Sequence, residues 1–161
     1  MIQRIQSLFL LVAAIIMIAV LFLPAWEETN ATNTEVVTIN AFELVYAQTS
    51  ELTEPEVINS KPTYYISILA LVAAIVAFAS IFQFKNRLRQ IQLGALNSLL
   101  MGANIALIYY FSTKGEPIIP NHQGEFQIGF YIIAGALFCN SLANRFIRKD
   151  EKLVKSADRI R

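Results

Sequence analysis

The sequence predicts an all-α membrane fold: a four-transmembrane-helix antiparallel bundle with a small β-hairpin in the first extracytoplasmic loop. Three observations predict it. Of 161 residues, 55% are hydrophobic and only 16% charged, and the mean hydropathy is +0.49, far from ordinary globular usage. The charged residues gather at the chain ends and in the connecting segments, leaving four long runs that carry none. A water-soluble bundle would place charges at helical spacing on every helix, and that spacing is missing. Third, the cations are distributed so that alternate connections differ sharply in sign.

The first run, residues 7–23, just crosses a hydrocarbon core of about 30 Å at roughly 1.5 Å per residue. Pro24 and Trp26 close it. A run of this kind behind Arg4 could be a signal peptide, but Leu23-Pro24-Ala25 lacks the small residue expected before a cleavage site, so an uncleaved helix is expected. Residues 24–63 form the only sizeable loop. Within it, β-branched and aromatic residues at about 35–39 and 42–46 read as two strands. Two strands alone are marginal in water, so they should lie on the helix ends or pair with another strand. Glu51 to Lys61 contains Pro55 and is expected to return irregularly. Asn30-Ala31-Thr32 matches a glycosylation triplet, a pattern common by chance, and is expected to be unmodified.

The second span, residues 64–84, opens on Tyr64 and Tyr65 and ends at Lys85, an aromatic belt opposite a cationic anchor. A short turn, 85–90, makes the third span, 91–111, its antiparallel neighbour. The second outer loop, 112–127, is short enough to set the fourth span, 128–147, beside the third. A basic tail, 148–161, follows. One span, a strand-bearing loop and three further spans give a claudin-like layout, by analogy only, because the paired cysteines of that group are absent.

Orientation follows from the cations, which resist transfer across a bilayer. With both termini cytoplasmic, all but Lys61 and Lys114 of the 13 Lys and Arg residues lie inside. The acids mirror them, so a formal net charge of +1 conceals about +8 inside against about −7 outside.

The opening Met1-Ile2-Gln3-Arg4-Ile5-Gln6-Ser7, the middle Arg89-Gln90-Ile91-Gln92-Leu93 with Asn97 and Leu99-Leu100, and above all the closing segment from Arg148 to Arg161 carry a resemblance. Over essentially its whole length the chain resembles an uncharacterised family of four-span membrane proteins from Bacteroidota, a domain of unknown function. The resemblance implies a bacterial inner-membrane location and a periplasmic loop, and it implies no activity.

No Asp, Glu, Lys, Arg or His occupies the middle of a span, which disfavours ion-coupled transport and proton relays. Amides remain. Gly94, Asn97, Met101, Asn104 and Ile108 follow spacings of three and four and share one helix face; Asn140 could meet Asn97 at similar depth. These asparagines are expected to make interhelical polar contacts, or alternatively to line a path for a ligand. Ser67, Ala70, Ala74 and Ala77, flanked by Ala73 and Ser80, form a small-residue stripe suited to close helix packing, with self-association as the alternative. Cys139 is expected to be a buried packer, and His122, the single histidine, an exposed loop residue with too few companions for a metal site.

The tail should extend the fourth helix beyond the bilayer or lie on its surface. Arg148, Lys149, Lys152 and Lys155 suit anionic lipid headgroups, while Leu153 and Val154 could present an apolar edge to a partner. The patch is too small, and too poor in aromatic residues, for nucleic acid. With no cofactor motif and no reactive constellation, the expected function is a non-enzymatic integral membrane scaffold or accessory subunit of an inner-membrane assembly. Such a role calls for a membrane-protein partner or a homo-oligomer. The alternative is a small carrier or channel for a neutral or lipophilic molecule using Asn97, Asn104 and Asn140. A lipid-processing enzyme would require a lipid-filled groove with convergent polar groups.

Overall fold

The computed structural model describes residues 2–48, 56–84, 86–119 and 123–158. Four helices and five strands alternate along the chain: α1 (Ile2–Ala19), β1 (Trp26–Thr29), β2 (Glu35–Ile39), β3 (Glu43–Gln48), β4 (Glu56–Pro62), α2 (Tyr64–Phe82), α3 (Arg87–Gly115), β5 (Glu125–Phe126) and α4 (Ile128–Asp158). Single 3-10 turns, Val20–Phe22 and Glu116–Ile118, follow α1 and α3. All four helices are long and apolar enough to cross a membrane.

The helices form a ring in which α1 packs on α2 and α4, and α3 packs on the same two. Packing follows the small residues. On α2, Ser67, Ala70, Ala73, Ala74, Ala77 and Ser80 are buried together with Ile66, because small side chains let backbones approach where no polar stripe competes. The stripe is consumed inside the bundle. On α3, Gly94, Asn97, Met101, Asn104 and Ile108 face inward. The opposite faces carry large apolar residues that no other element covers, among them Leu8, Ile15, Ile75, Leu99 and Phe138. Cys139 is half-buried against the core.

The all-α expectation is corrected by a five-stranded antiparallel sheet in the order β4-β3-β2-β1-β5. The expected hairpin is its centre: β2 pairs with β3, Val37 opposite Tyr46 and Ile39 opposite Leu44. Three further strands have physical reasons for escaping the sequence reading. Trp26-Glu27-Glu28-Thr29 places a carboxylate, Glu28, on the buried face, where alternation calls for an apolar residue. β4, expected to be irregular, pairs along β3 with a bulge at Tyr46/Ala47 and is exposed at every position, so it has no buried face to read. β5 is two residues long and borrows its register from Trp26 opposite Phe126.

The sheet is stitched to the helix ends by backbone. The first turn of a helix leaves N–H groups without intrahelical partners, and here loop carbonyls accept them. Ser67 N–H donates to Ala41 O at 3.1 Å, and Gly129 N–H donates to Pro24 O at 2.9 Å. Thr63 N–H and its hydroxyl reach Phe42 O and Asn40 O. Gly129 has no room for a side chain, since a Cβ would lie 2.5 Å from Pro24 O.

Trp26 is the keystone of this end, 1% exposed. Its ring lies against Gly115 at the end of α3 and Gly124 before β5; a Cβ at Gly115 would come within 2.7 Å of the ring, and one at Gly124 would overlap it. The β1–β2 turn is held by Asn30, whose Oδ1 accepts from Thr34 N–H at 2.8 Å and whose Nδ2 donates to Thr34 Oγ1 at 2.8 Å. Asn33 there takes φ 55°, a left-handed conformation that asparagine tolerates better than most residues. The glycosylation triplet is thus a turn motif with its amide already engaged.

At the opposite end, Asn86 caps α3 by accepting from Arg89 N–H at 3.2 Å. Helix α3 begins earlier and ends later than its charge-free run. α4 continues unbroken to Asp158, the first of the two forms expected for the tail. His122, Pro55, Lys85 and the last residues from Arg159 lie outside the described residues.

Candidate functional site

Two polar constellations lie between the helices. The first joins α3 to α4 and α2. Asn97 Nδ2 donates to Asn140 Oδ1 at 3.4 Å, and Asn140 Nδ2 donates to Gly94 O and to Ser98 Oγ, each at 2.8 Å. Asn104 Nδ2 donates to Ile66 O at 3.0 Å. All three asparagines are fully buried. The donors are thus spent on neighbouring helices, while the Oδ1 atoms of Asn97 and Asn104 have no hydrogen-bond partner. Gln90, on the same α3 face nearer its start, donates to Ser80 O at 3.1 Å. Neither of the two cavities described below is lined by these amides, so their geometry is that of interhelical fastening.

The second constellation is a cleft of about 700 Å³ between α3 and α4. Arg145, Arg148, Lys149 and Lys152 line it from α4, on positions i, i+3, i+4 and i+7 that share a helix face. Ala95 and Ser98 of α3 and Ser141 of α4 make its floor. Asn144 forms the wall, nine-tenths buried, with a carboxamide oxygen that finds no hydrogen-bond partner. It fits only because Gly94 lacks a side chain: a Cβ there would overlap the Asn144 amide. Asp150, beside these cations, pairs with Arg87 at 3.1 Å, and its backbone carbonyl accepts from the same guanidinium. Among the described residues, no carboxylate lines the cleft.

Of the tail residues singled out from sequence, Arg148, Lys149 and Lys152 therefore converge on this cleft. Leu153 and Val154 are exposed on α4. Lys155 lies on the same helix, but its side chain is outside the described set. A smaller cavity of about 100 Å³ on the sheet is lined by Leu44, Tyr46, Asn59, Lys61 and Ile118. Among the described residues, no cluster of His, Cys, Asp or Glu is grouped to hold a metal ion.

Asn144 and the buried Glu28 were missed by sequence reasoning. For Asn144 a signal existed, because Asn140 and Asn144 stand one helical turn apart facing the Gly94–Asn97 side of α3. Glu28 gave none, as one acid among many in an acidic loop.

The sequence model of a family described as "Domain of unknown function (DUF4293)" matches residues 2–160. The chain belongs to this family. The match to DUF4293 takes in all four helices, the sheet and the cationic cleft, so these are parts of one family domain rather than a domain with appendages. No curated protein matches the chain.

Proposed function

We propose that this DUF4293 protein is a non-enzymatic, membrane-embedded scaffold or accessory subunit, with its four helices across the inner membrane of a bacterium of the Bacteroidota. In this reading both termini and the cationic cleft face the cytoplasm, and the sheet lies on the periplasmic side. The orientation rests on the cation asymmetry. The spanning of a bilayer is supported by exposed tyrosines, Tyr64, Tyr65, Tyr109, Tyr110 and Tyr131, which gather at the sheet ends of three helices, the depth at which such rings favour a bilayer interface.

The scaffold reading is carried by one observation: the asparagines inside the bundle are bonded to neighbouring helices, while the surface features lie at its two ends. At one end β4 is an edge strand exposed throughout, with Val57 and Ile58 outward. Edge strands left open are templates for pairing with another chain. The test is extraction in a mild detergent followed by affinity purification of the tagged full-length chain. A stoichiometric protein partner, or a defined homo-oligomer, is the expected result. A clean monomer, under conditions that keep known membrane complexes intact, would overturn it. Orientation is checked separately by phosphatase fusions at Asn86 and after Arg161, both expected to be inactive.

A further inference from the structure

We propose that the cleft between α3 and α4 is a binding site for one anionic phospholipid: a phosphodiester headgroup with no cation of its own, held by Arg145, Arg148, Lys149 and Lys152 beside Asn144. The inference rests on the membrane reading above and assigns a ligand to one place in it.

Positive charge near a bilayer needs only a surface on which to act, so charge alone would argue for nothing more than an anchor. Two features make this a site. The cations line a concavity whose volume, about 700 Å³, lies in the range of about 300–1,000 Å³ typical of small-molecule sites. Four like charges on one helix face repel one another, while no carboxylate among the described residues lines the cleft and Asp150 beside it is turned to Arg87. A phosphodiester supplies the missing negative charge and accepts several charge-assisted hydrogen bonds at once, bidentate ones from arginine included.

Asn144 shapes the wall. Its carboxamide oxygen is sealed against Gly94, out of reach of a molecule in the cleft, so the charged groups of the lining are all cationic donors. A headgroup with an ammonium of its own, such as serine, is disfavoured beside four cations, and one without, such as glycerol, is favoured. The floor residues Ala95 and Ser98 continue along α3 to Gly102, where a Cβ would meet nothing within 4 Å. This leaves a shallow track for an acyl chain beside the exposed Leu99. The headgroup therefore sits where the apolar part of α4 gives way to its cations, the depth of a lipid phosphate and not of a free solute.

The test uses the full-length protein in nanodiscs and native mass spectrometry. Phosphatidylglycerol is titrated into phosphatidylcholine, with phosphatidylserine and inorganic phosphate as separate arms. One phosphatidylglycerol per chain should be retained in preference to phosphatidylserine. Arg148→Gln with Lys149→Gln, both exposed, should weaken retention about 30-fold, from about fivefold per cation. Arg89→Gln removes an exposed cation that does not line the cleft and should leave retention unchanged, whereas diffuse attraction to a charged surface would weaken with it.

Equal retention of the two anionic lipids, or an unchanged affinity in the charge variant, overturns the proposal. So does displacement of the lipid by millimolar phosphate, which would mark a site for a free anion. Failure of the membrane reading registers differently, as a chain that washes off membranes in alkaline carbonate. Failure of the scaffold reading registers as the absence of a protein partner.

Discussion

The two ends of the bundle are built on opposite rules. At the sheet end, glycines allow things to close: Gly115 and Gly124 admit the Trp26 ring, Gly129 admits the Pro24 carbonyl, and loop carbonyls take the leading N–H groups of α2 and α4. At the cationic end, Gly94 lets Asn144 tuck in and Arg87 bonds Asp150 further out, yet a cleft lined by four cations remains between the helices. Glycine by itself therefore does not close an interface. The sheet end closes because backbone meets backbone in an extended ladder, which tolerates no gap without stranding hydrogen-bonding groups. The cationic end has only side chains to bring together, and four of them repel.

Breaking the closed end should produce the largest effect. Trp26 is the single tryptophan and is almost fully buried, so it reports on its own site. Trp26→Ala should cost about 3–5 kcal/mol of stability, the range for deleting a buried large aromatic, read from unfolding in detergent. Gly124→Ala should cost about 1–3 kcal/mol by overpacking and should shift the tryptophan emission to the red as the ring is expelled. If Gly124→Ala leaves both emission and stability unchanged, the ring is not held as described and the closed end is looser than its open counterpart.

What was legible in the sequence follows the same division. Helix faces were readable because, in helices this apolar, the packing signal is small and amide residues at spacings of three and four, and that signal is local: the Ser67–Ala77 stripe and the Gly94–Ile108 face are both buried. The central strands were readable from their β-branched runs. β1, β4 and β5 were not, because their pairing is dictated by partners distant in sequence. β1 also buries Glu28, β4 has no buried face, and β5 pairs through only two residues. The cleft was half legible. Its cations read as a topology anchor, and only the structure brings Asn144 and the small floor residues up to them.

Midway between the ends, the Asn97–Asn140 contact marks where α3 and α4 are still joined. Asn140→Leu removes two donations at 2.8 Å and the acceptor used by Asn97, and should cost about 1–2 kcal/mol, with a coupling to Asn97 near 0.6 kcal/mol in a double-mutant cycle. A coupling of zero would mean that the 3.4 Å contact contributes nothing and that Asn140 acts through its bonds to Gly94 and Ser98 alone. Further out, the Arg87–Asp150 pair is partly exposed, at 26% and 17%. Asp150→Asn should cost no more than about 1 kcal/mol, and less at high salt. The same substitution leaves the cleft cations untouched, so it separates clamping of the helices from capture of an anion.

The smallest expected change lies on the sheet's outer corner. Tyr46 hydroxyl donates to Glu35 Oε1 at 2.9 Å, and Gln48 Nε2 donates to the same oxygen at 2.9 Å, across strands β2 and β3. The bond to Glu35 raises the Tyr46 pKa above its usual 10.0, with burial and the Glu35 charge acting in the same direction and Gln48 opposing them. The neutral phenol is the form that donates. Its contribution to stability is therefore present below the unfolded value near 10 and is lost as pH rises through the folded one. Glu35→Gln removes the charge and the strong acceptor together, so the Tyr46 titration should move down toward the ordinary value. Phenolate absorbance followed in a variant with the other tyrosines replaced by phenylalanine would report it. Trp26 emission should stay constant throughout, because the corner is open to water while the ring beneath it is sealed; a tryptophan signal that moved with Tyr46 ionisation would show that the sheet end opens as one unit.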